Sequence, residues 1–441
     1  MNKPARYLVH FIFFYTCIEG LIVNIFYPSL TAYLIKDVAI LLLYSILFTT
    51  GMAGRILASP SASRLLLPLF FFSAVIAFYL LLPGIGFLGE LVAVKQRLFY
   101  IPLMIAGYLF IRSEDDLMPF LTVLLSYAVG LSAFGVYLHF TGPSGLTALG
   151  AHYSPIVMTP QYSEEVTQYW RVPATFASAG QFGAYLLFSG HLACGIILMK
   201  SGSTRLKNVA ICALIAIVLA MLTSGSRAPL ILLTASMALL LVFSGKVTEI
   251  VAWGLGGYAV LACAFIFLGE GVHDRVVSIA DYQHVARFQT TYFGQMFLSS
   301  LEQNPMGSGL GIATIAARHF SPSQEVELVE SYLGILAVET GVAGLGCFLL
   351  VAIALLAILF RLRVEVRNSP IASLWHIVAT YVIFAVLLFP IASGIDATPG
   401  NLYFWFAIGV LLRIADLEAG RRWMPAALPA ARAGLTAPAV R

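Results

Sequence analysis

The stretch that decides the fold is NVAICALIAIVLAMLTSGSRAPLILLTASMALLLVF at residues 208–243. It consists of two apolar runs, each close to the ~20 residues that a transmembrane helix needs. The turn LTSGSRAPL between them carries a single charge, Arg227. The whole chain of 441 residues has this character, with 60% hydrophobic and 10% charged residues, whereas a soluble domain has about 25% charged residues. The sequence therefore predicts an all-α polytopic membrane protein, and its net charge of +4 does not suggest a nucleic-acid partner.

Hydropathy along the chain predicts one transmembrane domain, residues 1–416, with about twelve helical spans. The predicted spans cover residues 7–27, 37–54, 65–82, 97–111, 117–140, 174–199, 207–223, 229–244, 247–269, 331–360, 371–391 and 400–415. The remaining tail, residues 417–441, is rich in Ala, Pro and Arg. We expect this tail to be disordered and cytoplasmic.

The distribution of Lys and Arg between the spans predicts the orientation. Seventeen of the 25 Lys and Arg residues fall on the side of the N-terminus and eight on the other side. By the positive-inside rule, both termini are expected in the cytoplasm. The two long connections, residues 141–172 and 270–329, then lie outside, and the second is expected to be partly helical. Since every cytoplasmic connection is short, the functional site is predicted at the outer face.

Four cations of the outer side lie at or near span edges: Lys36, Arg97, Arg171 and Arg227. If the bundle closes, they could converge at the depth of the outer headgroups, where a lipid diphosphate holds its phosphates. The planar donor fork of arginine matches phosphate oxygens, and the large loop adds Arg275 and Arg287. The alternative for any single arginine is that it extends to lipid phosphates without a function.

The large loop and the spans contain further candidate groups. Residues 283–303 have the spacing of an amphipathic helix lying on the membrane. The glycines of NPMGSGLG, residues 304–311, could expose backbone N–H groups to an anion, although a plain tight turn is favoured. Four ionisable residues are predicted inside spans: Glu19, His191, Glu339 and His376. Ionisable residues inside a membrane are candidates for function, but a packing role is favoured for the two histidines. The sequence shows no metal-ligand cluster, no nucleotide-phosphate loop and no Asp-x-Asp pair.

Four stretches, in this order along the chain, resemble the O-antigen ligase and Wzy-type polysaccharide polymerase superfamily. They are RVPATFASAGQFGAYLL (171–187), LTSGSRAPL (222–230), NPMGSGLG (304–311) and VESYLGILAVETGVAGL (329–345). The first resembles an Arg-x-x-Gly-Thr-Phe motif, and the third an Asn-Pro-x-x-Gly-x-Gly motif. The first 170 residues match only in hydropathy and span spacing.

The resemblance implies a metal-independent, GT-C-like membrane glycosyltransferase of the bacterial inner membrane, without a cofactor. Its donor and acceptor would be oligosaccharides linked to undecaprenyl diphosphate, and a chain-length regulator is a further candidate partner. Arg171 and Arg227 match the motifs and would hold the diphosphate with Arg287 in one outer cavity. A base in or near the large loop would deprotonate the acceptor hydroxyl.

The sequence departs from the ligases of this family at the start of span ten. Those ligases carry a histidine there, whereas this chain has Glu330 followed by Ser331. Glu330 is therefore the first candidate for the base and His319 the second; the alternative for Glu330 is a cap of the helix N-terminus. The difference favours polymerisation of repeat units into a surface polysaccharide or exopolysaccharide over an O-antigen ligase. A lipid-linked sugar flippase is the alternative from another class, but the chain lacks the paired halves expected of one.

Overall fold

The computed structural model of the chain describes residues 1–27, 30–82, 85–111, 114–153, 158, 161–162, 168–199, 203–224, 228–246, 248–249, 256–257, 298–314, 329, 331–366, 372–390, 392 and 394–423. These residues form a bundle of α-helices with one two-stranded ribbon. The helices are α1 Lys3–Ile25, α2 Leu30–Thr49, α3 Gly54–Leu57, α4 Pro60–Tyr79, α5 Phe87–Val94, α6 Leu103–Phe110, α7 Glu114–Thr141, α8 Ser144–Thr147, α9 Ala179–Leu198, α10 Thr204–Thr223, α11 Ala228–Phe243, α12 Ser299–Gln303, α13 Tyr332–Val366, α14 Ala372–Leu388 and α15 Gly400–Trp423. The strands β1 Gln161–Tyr162 and β2 Gln168–Tyr169 pair antiparallel.

Eight helices of the described chain are long and apolar enough to cross a membrane. They are Lys3–Ile25, Thr31–Thr49, Pro60–Tyr79, Asp116–Thr141, Ala179–Leu198, Thr204–Thr223, Tyr332–Val364 and Gly400–Glu418. Helices α11 and α14 are shorter but equally apolar. The all-α membrane architecture agrees with the prediction from hydropathy. Every predicted span overlaps one of these ten helices except the fourth, at 97–111, and the ninth, at 247–269. The fourth overlaps the short helix α6, and nearly all of the ninth lies outside the described residues.

Short polar side chains begin several of these helices. Each accepts a hydrogen bond from the backbone N–H three residues further on, which satisfies one of the unpaired donors of the first turn. The capping residues are Asn2, Ser59, Ser178 and Ser203. The apolar runs therefore begin as helices at positions that local sequence sets.

The fourth predicted span, 97–111, is corrected by the structure. Helix α5 already begins at Phe87, a π-helix at Lys95–Phe99 follows, and α6 continues to Phe110. The polar residues before 97 suggest a connection when the sequence is read alone. In the structure they are satisfied within the protein, since Glu90 accepts a hydrogen bond from the backbone N–H of Gly86 at 3.3 Å. The polar groups of Lys95–Phe99 are likewise bound inside the bundle, as described below.

The last helix also differs from its prediction. Helix α15 continues to Trp423, past the predicted span end at 415 and into the segment expected to be disordered from 417. Asp416, the first residue after the predicted span, accepts hydrogen bonds from Ser61 at 2.9 Å and Tyr108 at 2.7 Å. These contacts hold the helix against α4 and α6 at the end of its apolar run. The rest of the predicted tail, residues 424–441, lies outside the described residues.

Two glycines let helices α6 and α15 cross at close range. A Cβ at Gly107 of α6 would lie 2.1 Å from the carbonyl oxygen of Phe406, and a Cβ at Gly409 of α15 would lie 1.9 Å from that of Met104. Small residues at such crossings let helix backbones approach in a membrane, where packing drives association. This crossing holds the α5–α6 segment, and with it Arg97, against the last helix.

One end of the bundle collects the stretches of interest, and we call it the loop end. Helices α1, α7 and α10 end there, and α9, α13 and α15 begin there. Contacts between connections identify it: the backbone N–H of His152 donates to the carbonyl of Asn24 at 2.8 Å, and that of Tyr332 to Ala392 at 3.2 Å. The loop end contains the four stretches that the sequence singles out.

Candidate functional site

The two arginine-bearing stretches, 171–187 and 222–230, meet at the loop end. The backbone N–H of Val172 donates to the carbonyl oxygen of Ser224 at 3.2 Å. Ser224 closes helix α10, and Arg227 follows three positions later. Arg171 therefore lies beside the first residues of the hairpin turn. Arg227 itself lies outside the described residues.

The stretch that follows Arg171 is fixed on helix α1. Thr175 accepts a hydrogen bond from the backbone N–H of Leu21 at 2.7 Å, and its hydroxyl donates to the carbonyl of Cys17 at 2.5 Å. A Cβ at Gly20 would lie 2.2 Å from the backbone nitrogen of Ala177. The absence of a side chain at position 20 thus lets the stretch lie directly on the helix backbone.

A strained residue lies between these two attachments. Ala174 has φ 49° and is the one non-glycine with a positive φ in the part of the chain that the structure describes. The left-handed conformation costs an L-residue with a Cβ about 1–2 kcal/mol. Such strain persists only where the surrounding contacts determine the backbone, and it is common at functional sites.

A second part of the site is a buried ion cluster around Arg97. Its Nη2 donates to Glu339 Oε2 at 2.5 Å and its Nη1 lies 3.3 Å from Asp396 Oδ1. Thr314 lies 3.3 Å from both Nη atoms and donates from its hydroxyl to Glu339 Oε1 at 2.8 Å. The side chains of Arg97 and Glu339 are fully buried. The cluster joins the α5–α6 segment, the large loop, α13 and the connection before α15.

The NPMGSGLG stretch, 304–311, docks on a break in helix α13. Gly341 has φ 55° and ψ −150° inside the helix, and a Cβ there would lie 2.1 Å from the carbonyl oxygen of Pro305. The backbone N–H of Ser308 donates to the carbonyl of Val338 at 2.7 Å. Because this N–H donates to the protein itself, it is not available to bind an anion. The stretch is therefore a tight turn that packs on α13, the alternative that the sequence favoured over an anion-binding loop.

Two further ion pairs lie next to the cluster. Lys36 Nζ lies 2.7 Å from Glu19 Oε2 and 3.4 Å from the Thr398 hydroxyl. Lys95 pairs with Asp37. Since Thr398 is two positions from the Asp396 of the Arg97 cluster, these pairs form one charged layer beneath the loop end. The layer accounts for Glu19 and Glu339, which the sequence places inside spans.

The predicted phosphate ligands fall into three groups. Lys36 and Arg97 are buried, with 3% and 1% of their surface exposed, and both bind carboxylates of the chain, so their contact with phosphate stays a prediction. Arg171 is half-buried, and its buried Nε has no hydrogen-bond partner. The third group, Arg227, Arg275 and Arg287, lies outside the described residues, as do the two candidates for the base, Glu330 and His319.

Ser331 provides the cap of helix α13. Its hydroxyl accepts a hydrogen bond from the backbone N–H of Gly334 at 2.8 Å, the arrangement of an N-cap. The capping role that sequence reasoning considers for Glu330 is therefore already filled by its neighbour.

The histidines of the spans have packing surroundings. His191 lies 2.9 Å from the carbonyl oxygen of Ile377 and 3.2 Å from the Thr380 hydroxyl, and it borders an apolar cavity with Tyr381. His376 contacts the ring of Phe243 edge to face. Both environments agree with the packing role favoured from the sequence.

Sequence reasoning missed Asp396 and His139. Asp396 lies in the connection before α15 and is 5% exposed; burial raises the pKa of its carboxyl to about 7, against the lowering effect of Arg97. His139 lies near the end of α7, with its Nδ1 3.1 Å from the carbonyl oxygen of Thr223. In the sequence, each of these two residues is simply a polar residue near the end of an apolar run. Such residues are common at span edges, so the pattern did not distinguish them.

No protein-family model and no curated protein matches this chain. The resemblance to the ligase and polymerase superfamily therefore enters below as a proposal.

Proposed function

We propose that this chain is a membrane glycosyltransferase that polymerises oligosaccharide repeat units, carried on undecaprenyl diphosphate, into a surface polysaccharide or exopolysaccharide. The observation that carries the proposal is the hydrogen bond between Val172 and Ser224. It joins the two stretches that contain Arg171 and Arg227, which lie 56 positions apart in the sequence. Paired guanidinium groups are the donors expected for a diphosphate.

The location and topology belong to the same proposal. We place the chain in the bacterial inner membrane with twelve spans, both termini in the cytoplasm and the loop end in the periplasm. The eight candidate spans and two shorter apolar helices support a large helix count. The excess of Lys and Arg on the N-terminal side supports the orientation. A lipid-linked donor suits this geometry, because its phosphates lie at headgroup depth and its chain in the bilayer.

The backbone at Ala174 also supports the resemblance. The motif that the RVPATF stretch resembles has glycine at the position of Ala174, and the structure has φ 49° there. A glycine adopts that conformation without a steric cost. The same backbone path explains why such a motif would contain glycine.

The proposed roles follow the placement of each group. Arg171 and Arg227 hold the diphosphate, and Arg275 and Arg287 in the large loop are further candidate ligands. Arg97 and Lys36 hold the charged layer that carries the loop end. The acceptor hydroxyl oxygen forms a bond to the anomeric carbon while the bond from that carbon to the diphosphate oxygen breaks. The electron pair leaves with the diphosphate, and the hydroxyl proton passes to a base.

Glu330 is the proposed base. In the sequence it directly precedes Ser331, the cap of α13. Since Ser331 fills the capping position, a carboxylate at 330 is left for another role. The Glu-Ser sequence also favours a polymerase, because the ligases of the resembled family have a histidine at this place.

The experiment uses the full chain in vesicles with a lipid-linked repeat unit and measures chain extension. We expect Arg171→Lys to slow extension about 100-fold, because a single ammonium cannot replace a two-pronged contact. Glu330→Gln should bind the donor normally and extend chains about 100-fold more slowly, since an amide cannot accept the proton. Arg64→Ala is the control, because Arg64 is exposed at the opposite end of the bundle.

The outcomes separate the parts of the proposal. Full activity of both Arg171→Lys and Arg171→Ala would contradict the proposed binding of the diphosphate by Arg171. Normal extension by Glu330→Gln would move the base to His319. Transfer of the oligosaccharide to a lipid A-core acceptor, without chain extension, would show that the protein is a ligase and not a polymerase.

A further inference from the structure

An aromatic cavity lies inside the bundle and reaches into the half away from the loop end; we call it the inner cavity. Helices α1, α7, α9, α14 and α15 border it. Leu117 and Ile377 reach it from within the first two turns of α7 and α14, and both of these helices end at the loop end. The described residues of the RVPATF stretch and of the charged layer are not among those that border the cavity. The inner cavity is therefore separate from the site at the loop end.

The walls of the inner cavity are almost wholly apolar and rich in aromatic rings. Six of the residues that border it are aromatic: Phe13, Phe120, Phe188, Tyr381, Tyr403 and Phe406. The rings of Phe188 and Tyr403 stack with their centroids 4.3 Å apart, and the ring of Tyr381 meets Phe188 edge to face at 5.0 Å. The space within the cavity, counted to its open side, is about 520 Å³, the size of a small-molecule site. Such walls favour a ligand with a flat ring, because aromatic rings gain from stacked and edge-to-face contacts.

His191 gives this apolar wall a hydrogen-bond acceptor. Its Nε2 lies 2.9 Å from the carbonyl oxygen of Ile377 and 3.2 Å from the Thr380 hydroxyl. The carbonyl can only accept, and the Thr380 hydroxyl donates its own hydrogen to the carbonyl of His376 at 2.7 Å. Nε2 of His191 is therefore the nitrogen that carries the ring hydrogen, and Nδ1 of the neutral ring has a lone pair.

The lone pair of Nδ1 indicates the chemistry of the ligand. Nδ1 is buried without a hydrogen-bond partner among the described residues, in a residue that is 2% exposed. A water is a poor partner for it, since buried waters make about three hydrogen bonds and these walls offer few polar atoms. The acyl chain of a membrane lipid has no donor. A molecule that satisfies both Nδ1 and the walls is apolar and brings a hydroxyl donor.

We propose that the inner cavity binds a membrane-soluble phenol, such as a quinol, whose hydroxyl donates to Nδ1 of His191 and whose ring packs against Phe188 and Tyr381. A phenol combines the flat ring that the walls favour with the donor that the imidazole needs. Its hydroxyl is also more acidic than that of an aliphatic alcohol, which makes it the stronger donor to a neutral nitrogen. The inference goes beyond the proposed function and does not depend on it, because the cavity uses none of the groups proposed for sugar transfer.

The experiment measures saturable binding of radiolabelled para-octylphenol to the full chain in phosphatidylcholine nanodiscs, with empty nanodiscs as the blank. The competitor para-octylanisole has the same ring and chain but a methyl ether in place of the hydroxyl, so we expect it to bind about tenfold more weakly. His191→Gln keeps a donor for the Ile377 carbonyl and has no acceptor at the place of Nδ1. This variant should bind the phenol no more tightly than the ether. His376→Gln is the matched control, because His376 does not border the cavity, and it should keep the tenfold ratio.

A second variant and two further competitors complete the test. Ala407→Leu adds volume to the wall of the cavity, so it should weaken the binding of both probes about tenfold, even if His191→Gln is unstable. Absence of saturable binding by the natural protein, or a tenfold ratio that persists in His191→Gln, would overturn the inference and leave the proposed function intact. Displacement of the phenol by decanol at equal concentration would show a site for any alcohol and contradict the role of the ring. Displacement by farnesyl diphosphate at equal concentration would assign the cavity to the isoprenoid tail of a lipid-linked donor and overturn the inference.

Discussion

Asp396 and Glu339 share the guanidinium group of Arg97, and this arrangement determines the charge of the Asp396 carboxyl. Arg97 lies 2.5 Å from Glu339 and 3.3 Å from Asp396, and all three side chains are buried. A buried group with one cation and two carboxylates carries a net negative charge unless one carboxylate is protonated, and burying such a charge is costly. Asp396 makes the longer contact, so it is the group that holds the proton.

The Asp396 carboxyl should make stability depend on pH. Its pKa in the folded protein is raised to about 7, so the folded state holds this proton more tightly than the unfolded chain. The linkage then makes the protein lose stability as the pH rises from the unfolded pKa near 4 to the folded value near 7. Asp396→Asn cannot lose a proton, so its melting temperature should differ little from that of the natural protein at pH 4 and lie a few degrees higher at pH 8.

Glu339→Gln is the matched comparison for Asp396→Asn. It removes the carboxylate that makes the short contact with Arg97 and leaves the guanidinium without its main partner, which costs about 3–5 kcal/mol in buried pairs. We expect it to lower the melting temperature at both pH values. A lower melting temperature for Asp396→Asn at pH 8 would show instead that Asp396 is an ionised partner of Arg97.

At the scale of the element, the break in helix α13 shapes the site. Gly341 interrupts the helix with φ 55°, and the 304–311 stretch fills the interruption. The backbone N–H of Val342 donates to the carbonyl of Pro305 at 2.9 Å. The break therefore exchanges contacts within the helix for contacts with the large loop, and Glu339 reaches Arg97 from the turn just before it.

Substitution of this glycine should detach the loop. Gly341→Ala would place a Cβ 2.1 Å from the Pro305 carbonyl at a positive φ, so we expect a loss of about 2–3 kcal/mol of stability. Gly346→Ala is the control, since nothing lies within 4 Å of a Cβ at this position of the same helix. That control should be neutral or more stable by up to about 1 kcal/mol. Thermal unfolding of both variants measures the difference, and equal melting temperatures would mean that the helix break does not depend on glycine.

The elements themselves were largely predictable, because a lipid-facing helix must be apolar over its whole length. The hydropathy of 208–243 therefore found α10 and α11 without knowledge of their neighbours. Span four was predicted to begin only at Arg97, because Glu90 and Lys95 have the character of loop residues when their partners are unknown. Arg97 itself was interpreted as a phosphate ligand at the span edge rather than as the centre of a buried ion cluster. The partner of Arg97 lies 242 positions away in sequence, and no local pattern indicates such a pair. The contact of His139 with the hairpin was beyond prediction for the same reason.

At the scale of the whole molecule, the charges at the loop end pair within the chain. Glu19 binds Lys36, Asp37 binds Lys95, and Glu339 and Asp396 share Arg97. These pairs leave no two neighbouring carboxylates among them free to hold a divalent cation. In the described part of the site, the Nε atoms of Arg97 and Arg171 both lack a hydrogen-bond partner, but Arg97 is already paired with Glu339 and Asp396. The distribution suits an enzyme that stabilises a leaving diphosphate with guanidinium groups.

The charge distribution predicts that turnover needs no metal ion. A metal-dependent transferase uses a divalent cation to neutralise the leaving diphosphate, whereas here arginine donors are proposed to act on the same oxygens. With a lipid-linked repeat unit as donor, chain extension in excess EDTA should stay within twofold of the untreated rate, and added Mg²⁺ should not raise it. Arg171→Ala should remain slow in Mg²⁺ as well, because the described part of the site offers no free carboxylate pair to hold the metal. Loss of extension in EDTA with recovery on addition of Mg²⁺ would mean that carboxylates outside the described residues bind a metal, and that the arginines serve another purpose.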